Sequence, residues 1–349
     1  MDDRGDYHDL YDVLVIGAGP AGCEAAAAAA RAGAKTLCLG INLDSIALHP
    51  AGPVLADTSE DPRTILLGEL REAGGLLPRI LSQPGTTARD LPEGMVVIDR
   101  RRVSLAYKER LESFPDALWL RQALVTSLRR TEDIWIAGTR LEESFKARCV
   151  VIATGTFLRG MVHEAGVSFP GGRHGEIPSN ALAACLEELG MTLEPATATC
   201  YARIGSGAPG SRKLPPDGDT LHELYALGVG LAGSRAEALA AARATRKQVW
   251  LNRAQFTVSH QIISANQLDT RLQAPTLPGL FFAGRTAGSC NYVEAAALGL
   301  VAGSNAATAS RTPARYFLTK SYKFVDKLVA AVACQESRPV TVRRPPPGC

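Results

Sequence analysis

YDVLVIGAGPAGCE, residues 11–24, is the stretch whose reading decides the fold. Tyr11 to Ile16 predicts a short buried strand rich in β-branched residues. It runs into Gly17-Ala18-Gly19-Pro20-Ala21-Gly22, a GxGxxG turn, and then into a helix-prone run, Cys23 to Ala32. A glycine pattern is weak alone, but between a strand and a helix it marks a dinucleotide site. The first glycine permits the tight turn, the second lets a pyrophosphate approach the backbone, and the third lets the helix pack on the strand. Free N–H groups at the helix N-terminus, with the dipole behind them, then hold the phosphates.

Working outward, the 349 residues suffice for two domains or one with an insertion. The 46% apolar and 21% charged content is that of a globular chain. No run of about 18 apolar residues occurs, so no membrane span is expected. The polar, acidic start MDDRGDYHDLYD speaks against a secretory signal. Eight cysteines without a CxxC pair, and six scattered histidines, fit a reducing cytoplasm and no metal site. Net charge is only +3. The runs Arg100-Arg101-Arg102, Arg129-Arg130 and Arg343-Arg344 read as solvated faces more readily than as a nucleic-acid patch.

Ala34–Leu39 reads as the second strand of a βαβ unit. Dinucleotide folds usually end that strand with an acid for the ribose hydroxyls. Gly40 stands there instead, and the nearest acid is Asp44, which argues against NAD and leaves the ribose contact open. Helices are expected over Pro62 to Ala73 and Ser104 to Ser113, with a loop over 82–94. Strands Leu118–Leu120, Ala123–Leu128, Ile134–Ile136 and Ser144–Ala147 suggest a β-meander crossing the parallel sheet. CVVIATG, residues 149–155, reads as a strand that returns the chain to the first glycine turn. In PGLFFAGRTAGSCNYVEAAALGLVAG, residues 278–303, a strand Leu280–Ala283 ends at Gly284 and a helix Val293–Ala302 follows a loop. Between these stretches Ser179 reads as the cap of a helix Asn180–Leu189, Thr197–Ile204 as extended, Ser206–Asp219 as a loop, and Arg235–Lys247 as an exposed helix. The expected fold is α/β, a Rossmann-like parallel sheet with a β-meander and an inserted smaller domain. Its parts are residues 1–159 and 276–310 for the cofactor domain, 160–275 for the insertion, and 311–349 for a tail with one helix, Tyr322–Cys334, and a Pro345–Pro347 end.

DVLVIGAGPAGCEAA, INLDSI (41–46), CVVIATGTFLRG (149–160), FPGGRHGEIPS (169–179) and the 275–307 stretch resemble the GidA/MnmG family. These are FAD-dependent enzymes of tRNA wobble-uridine modification, with the TrmFO methyltransferases more distantly similar. The resemblance implies a two-dinucleotide-binding flavoprotein fold, with the diphosphate of FAD on Gly17, Ala18, Gly19, Pro20, Ala21 and Gly22. It puts Asn42, Leu43 and Asp44 by the adenosine ribose, Val125 against the adenine, and Thr154, Gly155 and Thr156 beside the diphosphate. Gly284, Arg285, Glu294, Ala295 and Ala296 are implied near the flavin ring. In the family, tRNA and a GTPase are partners; NAD(P)H as reductant, a longer family relative as partner and a homodimer are separate expectations for this chain. The family's Cys-Asn-Pro-Ala-Ile-Gly-Gly loop is replaced by Ala47–Gly52, and its Lys-Thr-Gly-Thr-Pro-Pro segment by Ala198–Ala202. The insertion is shorter than the family's and the long helical C-terminal domain is missing, so the expectation is a short-form relative.

Flavin carries redox chemistry itself, and the protein supplies orientation and electrostatics. Candidate catalytic groups are Cys200, in an extended segment expected to face the flavin, and His49, at a loop position near the cofactor. Each has a plainer reading, as a buried inert thiol and as a turn histidine. Cys290 shares the first ambiguity, Tyr292 reads as a core tyrosine or a base stack, and Arg173 with Glu176 as a structural tie. Three functions fit: an FAD-dependent enzyme of tRNA uridine modification, an FAD oxidoreductase using NAD(P)H on a small molecule, and a non-catalytic flavin-binding partner.

Overall fold

The computed structural model describes residues 6–49, 54–56, 62–87, 96–200, 202–206, 223–226, 249–311 and 323–333. Its centre is β1 (Asp6–Ile16), followed by α1 (Pro20–Arg31) and β2 (Thr36–Gly40). Val13, Leu14 and Val15 are wholly buried, as a strand covered on both faces requires. Short elements follow: β3 (Val54–Ala56), α2 (Pro62–Glu72), α3 (Leu76–Leu81), β4 (Val96–Val97) and α4 (Arg100–Glu112). Next come β5 (Leu118–Gln122), β6 (Val125–Thr131), β7 (Ile134–Thr139) and β8 (Ser144–Ile152). The parallel sheet runs β5-β2-β1-β8.

β8 forks the sheet. Its first half, from Ser144 to Ala147, pairs antiparallel with β7, which pairs with β6. Its second half, Val150 to Ile152, pairs in parallel with β16 (Leu280–Phe282). The expected meander is therefore present, but it branches from the parallel sheet by hydrogen bonding to β8 rather than lying across it.

A second, antiparallel sheet has the order β10-β9-β15-β11, from β9 (Met161–Glu164), β10 (Val167–Pro170), β11 (Leu193–Cys200) and β15 (Phe256–Ile263). A third joins β12 (Ala202–Ser206) to β13 (Glu223–Ala226) and β14 (Val249–Arg253). The extended run expected over Thr197–Ile204 is thus two strands belonging to two sheets. Helix α5 (Asn180–Glu188) starts at Ser179, whose side chain makes no capping bond; its N–H donates to Phe157 O instead. The closing helices are α6 (Tyr292–Ala309), longer than expected, and α7 (Lys323–Ala333). The expected helix at 235–247, nearly all of the 206–219 loop and the 345–347 end lie outside the described residues.

Helix α1 is buried on nearly every side, which its alanines allow without loss of helix propensity. It packs along α6, where a Cβ at Gly299 or Gly303 would strike the carbonyls of Ala21 or Ala25. Close backbone approach here fixes the N-terminal half of α1 against the middle of α6. Among the described residues no helix is long and apolar enough to cross a membrane.

Candidate functional site

The turn from Gly17 to Gly22 closes as the sequence predicts, and each glycine has a distinct physical reason. Gly17 has φ +111°, and a Cβ there would collide with Ala153 O at the end of β8. A Cβ on Gly22 would collide with Gly17 O. Around Gly19, by contrast, none of the described residues lies within 4 Å of a Cβ position, so they leave the space above it open. Among the described residues, the N–H groups of Ala18, Gly19, Ala21 and Gly22 have no acceptor; the first helical bond is Cys23 N–H to Gly19 O at 2.9 Å. Pro20 at the first helical position removes a donor that would be idle there. Four unpaired amides around an open space at a helix N-terminus make a cradle for an anionic group such as a diphosphate.

The walls come from the strand ends. Ala153 N–H donates to Ile16 O and Gly17 N–H to Leu39 O, at 2.8 Å each. Thr154 and Gly155 therefore sit beside the turn, with open space at Gly155 (φ +64°). The Gly155 amide is not free, however: it donates to Thr286 Oγ1 at 2.9 Å. Thr156 turns away, its hydroxyl donating to Gly172 O. At the end of β2, a Cβ on Gly40 would come within 2.9 Å of the Ala18 methyl, which explains why no acid stands there. Asn42 Oδ1 accepts from Asp44 N–H at 2.9 Å, leaving the Asp44 side chain exposed beyond the strand. Ala123 N–H donates to Gly40 O, and Val125, two residues on, is buried in the main core.

On the other flank, Ala283 N–H donates to Ile152 O and the chain turns at Gly284 (φ +65°). Asn291 caps α6 by accepting from Glu294 N–H, while the Glu294 carboxylate accepts from Cys290 N–H at 2.7 Å. Ala295 and Ala296 are buried in the first turn of that helix. Arg285 ties this loop to the second sheet: it donates to Thr197 O (2.5 Å), Ser289 O (2.9 Å) and His260 Nε2 (3.3 Å). His260 is buried, and its Nδ1 lies 3.0 Å from Val258 O. Only a neutral ring can donate there while accepting from Arg285. Burial lowers the His260 pKa to about 4, opposed by the Val258 bond and aided by Arg285. Neither Thr286 nor His260 stood out in the sequence: His260 lies outside the quoted stretches, and Thr286, though inside the 278–303 stretch, carries no chemistry that the sequence singles out.

Both catalytic candidates lie in packed surroundings. His49 stacks on Tyr292 with ring centroids 4.7 Å apart and planes 13° off parallel. Burial first, and nearby Arg100 second, lower its pKa to about 3, so it is neutral at physiological pH and has no proton to give as an acid. Its carbonyl accepts from Arg100 at 2.8 Å. The chain leading to His49 packs inward, with Ala47 N–H bonded to Ala18 O and Tyr292 O–H to Ala47 O. That bond also makes Tyr292 a core residue. Cys200, at the end of β11, is buried in an apolar cluster with Val162, Phe256 and Val258. Arg173 and Glu176 form a 2.5 Å ion pair that closes their own turn. Of the basic runs, Arg130 pairs with Asp133 at 3.2 Å and Arg101 is exposed on α4. No group of three or more potential metal ligands occurs among the described residues.

This geometry defines the class: an α/β protein of the two-dinucleotide-binding flavoprotein type. The chain belongs to the family described as glucose inhibited division protein A, which it matches over residues 12–207 and 247–313. It is 37% identical over 224 residues to the tRNA uridine 5-carboxymethylaminomethyl modification enzyme MnmG of Geotalea uraniireducens, covering 61% of this chain and 35% of that protein. Over 417 aligned residues it is 28% identical to the enzyme of the same name from Pelobacter propionicus, covering 93% of this chain and 65% of that one. The chain thus spans about a third to two thirds of the length of these curated relatives. Among solved structures, Aquifex aeolicus GidA superposes with a TM-score of 0.82 at 22% identity, covering 94% of this chain and 68% of that chain. The GidA-related protein of Thermus thermophilus gives 0.54 at 18% identity, covering 84% and 96%.

Proposed function

We propose that the chain binds FAD and serves in the modification of a tRNA uridine, the activity named for its MnmG relatives. The observation that carries the FAD reading is the cradle: among the described residues, four amides without an acceptor, no neighbour over Gly19, and open space at Gly155. The donor set is all N–H and hydroxyl, which suits a diphosphate and not a metal. In this reading the turn of residues 17–22 and Thr154 hold the diphosphate, and Asn42–Asp44 lie by the ribose. Val125 borders the adenine, and Gly284, Arg285 and the start of α6 border the flavin. Bound FAD supplies electron transfer to and from the substrate. The chain's own part is to bind and orient. Arg285 holds the loop before α6 against Thr197 and His260, and the positive end of α6 favours negative charge on whatever lies at its N-terminus. In this reading residues 160–275 cover the cofactor, NAD(P)H is the reductant, the resemblance adds a GTPase partner, and the chain forms a homodimer.

The test is deletion of the gene in its own cell, with modified wobble uridines in bulk tRNA measured by mass spectrometry. Loss of a 5-substituted uridine, restored by this chain, supports the reading. An unchanged profile in a cell with no longer relative overturns it.

A further inference from the structure

Thr286 lies in the loop between β16 and α6 and is wholly buried, yet its hydroxyl contacts the edge of the cradle. Its oxygen accepts from Gly155 N–H at 2.9 Å and lies 3.1 Å from Thr154 Oγ1. A hydroxyl carries one proton and two lone pairs. The Gly155 amide can only donate, so the Thr286 proton has one acceptor among the described residues, Thr154 Oγ1. The opposite orientation would leave a buried O–H without a partner, which folded proteins avoid. The direction of the contact is thereby fixed: Thr286 donates and Thr154 accepts. That leaves the proton of Thr154, and no described residue accepts it. Thr154 is the member of the pair that can be reached, at 8% exposure against 0% for Thr286. Its backbone abuts Gly17, 3.2 Å from where a Cβ of that glycine would stand, and Gly155 beside it faces open space.

Resting on the FAD reading of this site, we propose that Gly155 N–H, Thr286 and Thr154 form a directed hydrogen-bond relay that ends in a Thr154 O–H donated to an anionic oxygen of the bound diphosphate. Thr286 is a positioning residue in it: it touches no ligand, and it sets which way the Thr154 proton points. Hydrogen bonds in a chain polarise one another, so the terminal donor is stronger than an isolated threonine hydroxyl.

The experiment compares FAD affinity, by equilibrium dialysis, for the unmodified chain, Thr286→Val, Thr286→Ser, Thr154→Val and the double valine variant. Phosphorus NMR of the bound diphosphate is recorded alongside. Thr154→Val loses one hydrogen bond to a charged group, which predicts an affinity drop of about tenfold or more. Thr286→Val keeps that donor but removes the bond that directs and polarises it, which predicts a smaller drop of about two- to fivefold. Since Thr286 acts only through the Thr154 donor, the double variant should bind no more weakly than Thr154→Val alone, within about twofold, where independent sites would multiply their losses. Thr286→Ser, which keeps the hydroxyl, should bind within about twofold of the unmodified chain, with the phosphorus shifts restored. Equal affinity of Thr286→Val and the unmodified chain would overturn the relay while leaving FAD binding intact. Equal weakening by Thr286→Ser and Thr286→Val would assign the effect to packing and overturn it too. Failure of the unmodified chain to bind FAD would remove the FAD reading and the relay with it. Should Thr286→Val not fold, Thr154→Val decides: affinity unchanged by that variant refutes the terminal donor.

Discussion

Glu24 gives the sharpest test of how the nucleotide-binding helix is held. It is a wholly buried carboxylate in α1 that accepts from Leu76 N–H (2.8 Å), Leu77 N–H (2.6 Å) and Tyr107 O–H (2.9 Å). It thus caps α3, whose own N-cap residue, Gly75, has no side chain to do so. Glu24→Ala strands three buried donors. At about 1–3 kcal/mol for each unmet group, less the relief of no longer burying a charged group, the expected loss is about 3 kcal/mol or more. That is a large share of a typical stability of about 5–15 kcal/mol. Tyr107→Phe removes one donor and leaves the carboxylate two, for about 1 kcal/mol. Glu24→Gln turns an amide NH2 toward one of the backbone N–H groups and falls between the two. The pH dependence has a definite sign. Burial outweighs the three donors and raises the Glu24 pKa above 4.5. Above that value the folded state keeps a proton that the unfolded state has released, so stability falls as pH rises through the folded pKa. Glu24→Gln lacks this slope. Urea unfolding monitored by circular dichroism across pH 4–8 measures all of it. An alanine variant within about 0.5 kcal/mol of the parent, the range of an ordinary surface substitution, or a slope that survives in Glu24→Gln, would refute the reasoning.

Other expectations follow from the same packing. Gly299→Ala pushes a methyl into Ala21 O, so it should cost about 1–3 kcal/mol, seen as a lower melting temperature, and should weaken FAD binding because α1 is displaced. His260 and His49, held near pKa 4 and 3, take up protons only when the chain unfolds between those values and 6.5. Stability should therefore fall as pH drops below 6.5, by at most about 1.4 kcal/mol per pH unit per histidine, and His260→Gln should make the fall shallower. Native alkylation followed by peptide mass spectrometry should label exposed Cys290 before buried Cys23, Cys38 and Cys149; burial pushes the last two up to about 12.

The strand, turn and first helix were legible because each residue type answers a local need: β-branched residues for a buried strand, glycines where a Cβ has no room, and alanines in a packed helix. The closing strand and helix at 280–309 were legible for the same reason. What sequence concealed is non-local. Glu24 looks like any helix glutamate, and its partners lie 52 to 83 residues away. His260 and Arg285 meet across 25 residues, and Thr286 meets Gly155 across 131. Helix α3 was missed because a six-residue helix containing Pro78 carries too little periodicity. The substrate remains the least legible feature, since hydroxyls, a neutral histidine and an inward-facing thiol name none.

Titration of the ligand-free chain with FAD, alongside Gly19→Val, tests the central claim most directly. Gly19 has φ −72°, and none of the described residues lies within 4 Å of its Cβ position, so a methyl-bearing side chain disturbs little of the described structure and occupies the space assigned to the diphosphate. The account predicts saturation at about one FAD per chain, with the variant folded, as stable as the parent, and unable to retain flavin. A parent chain that takes up no FAD, or a Gly19→Val chain that binds it equally well, would contradict it.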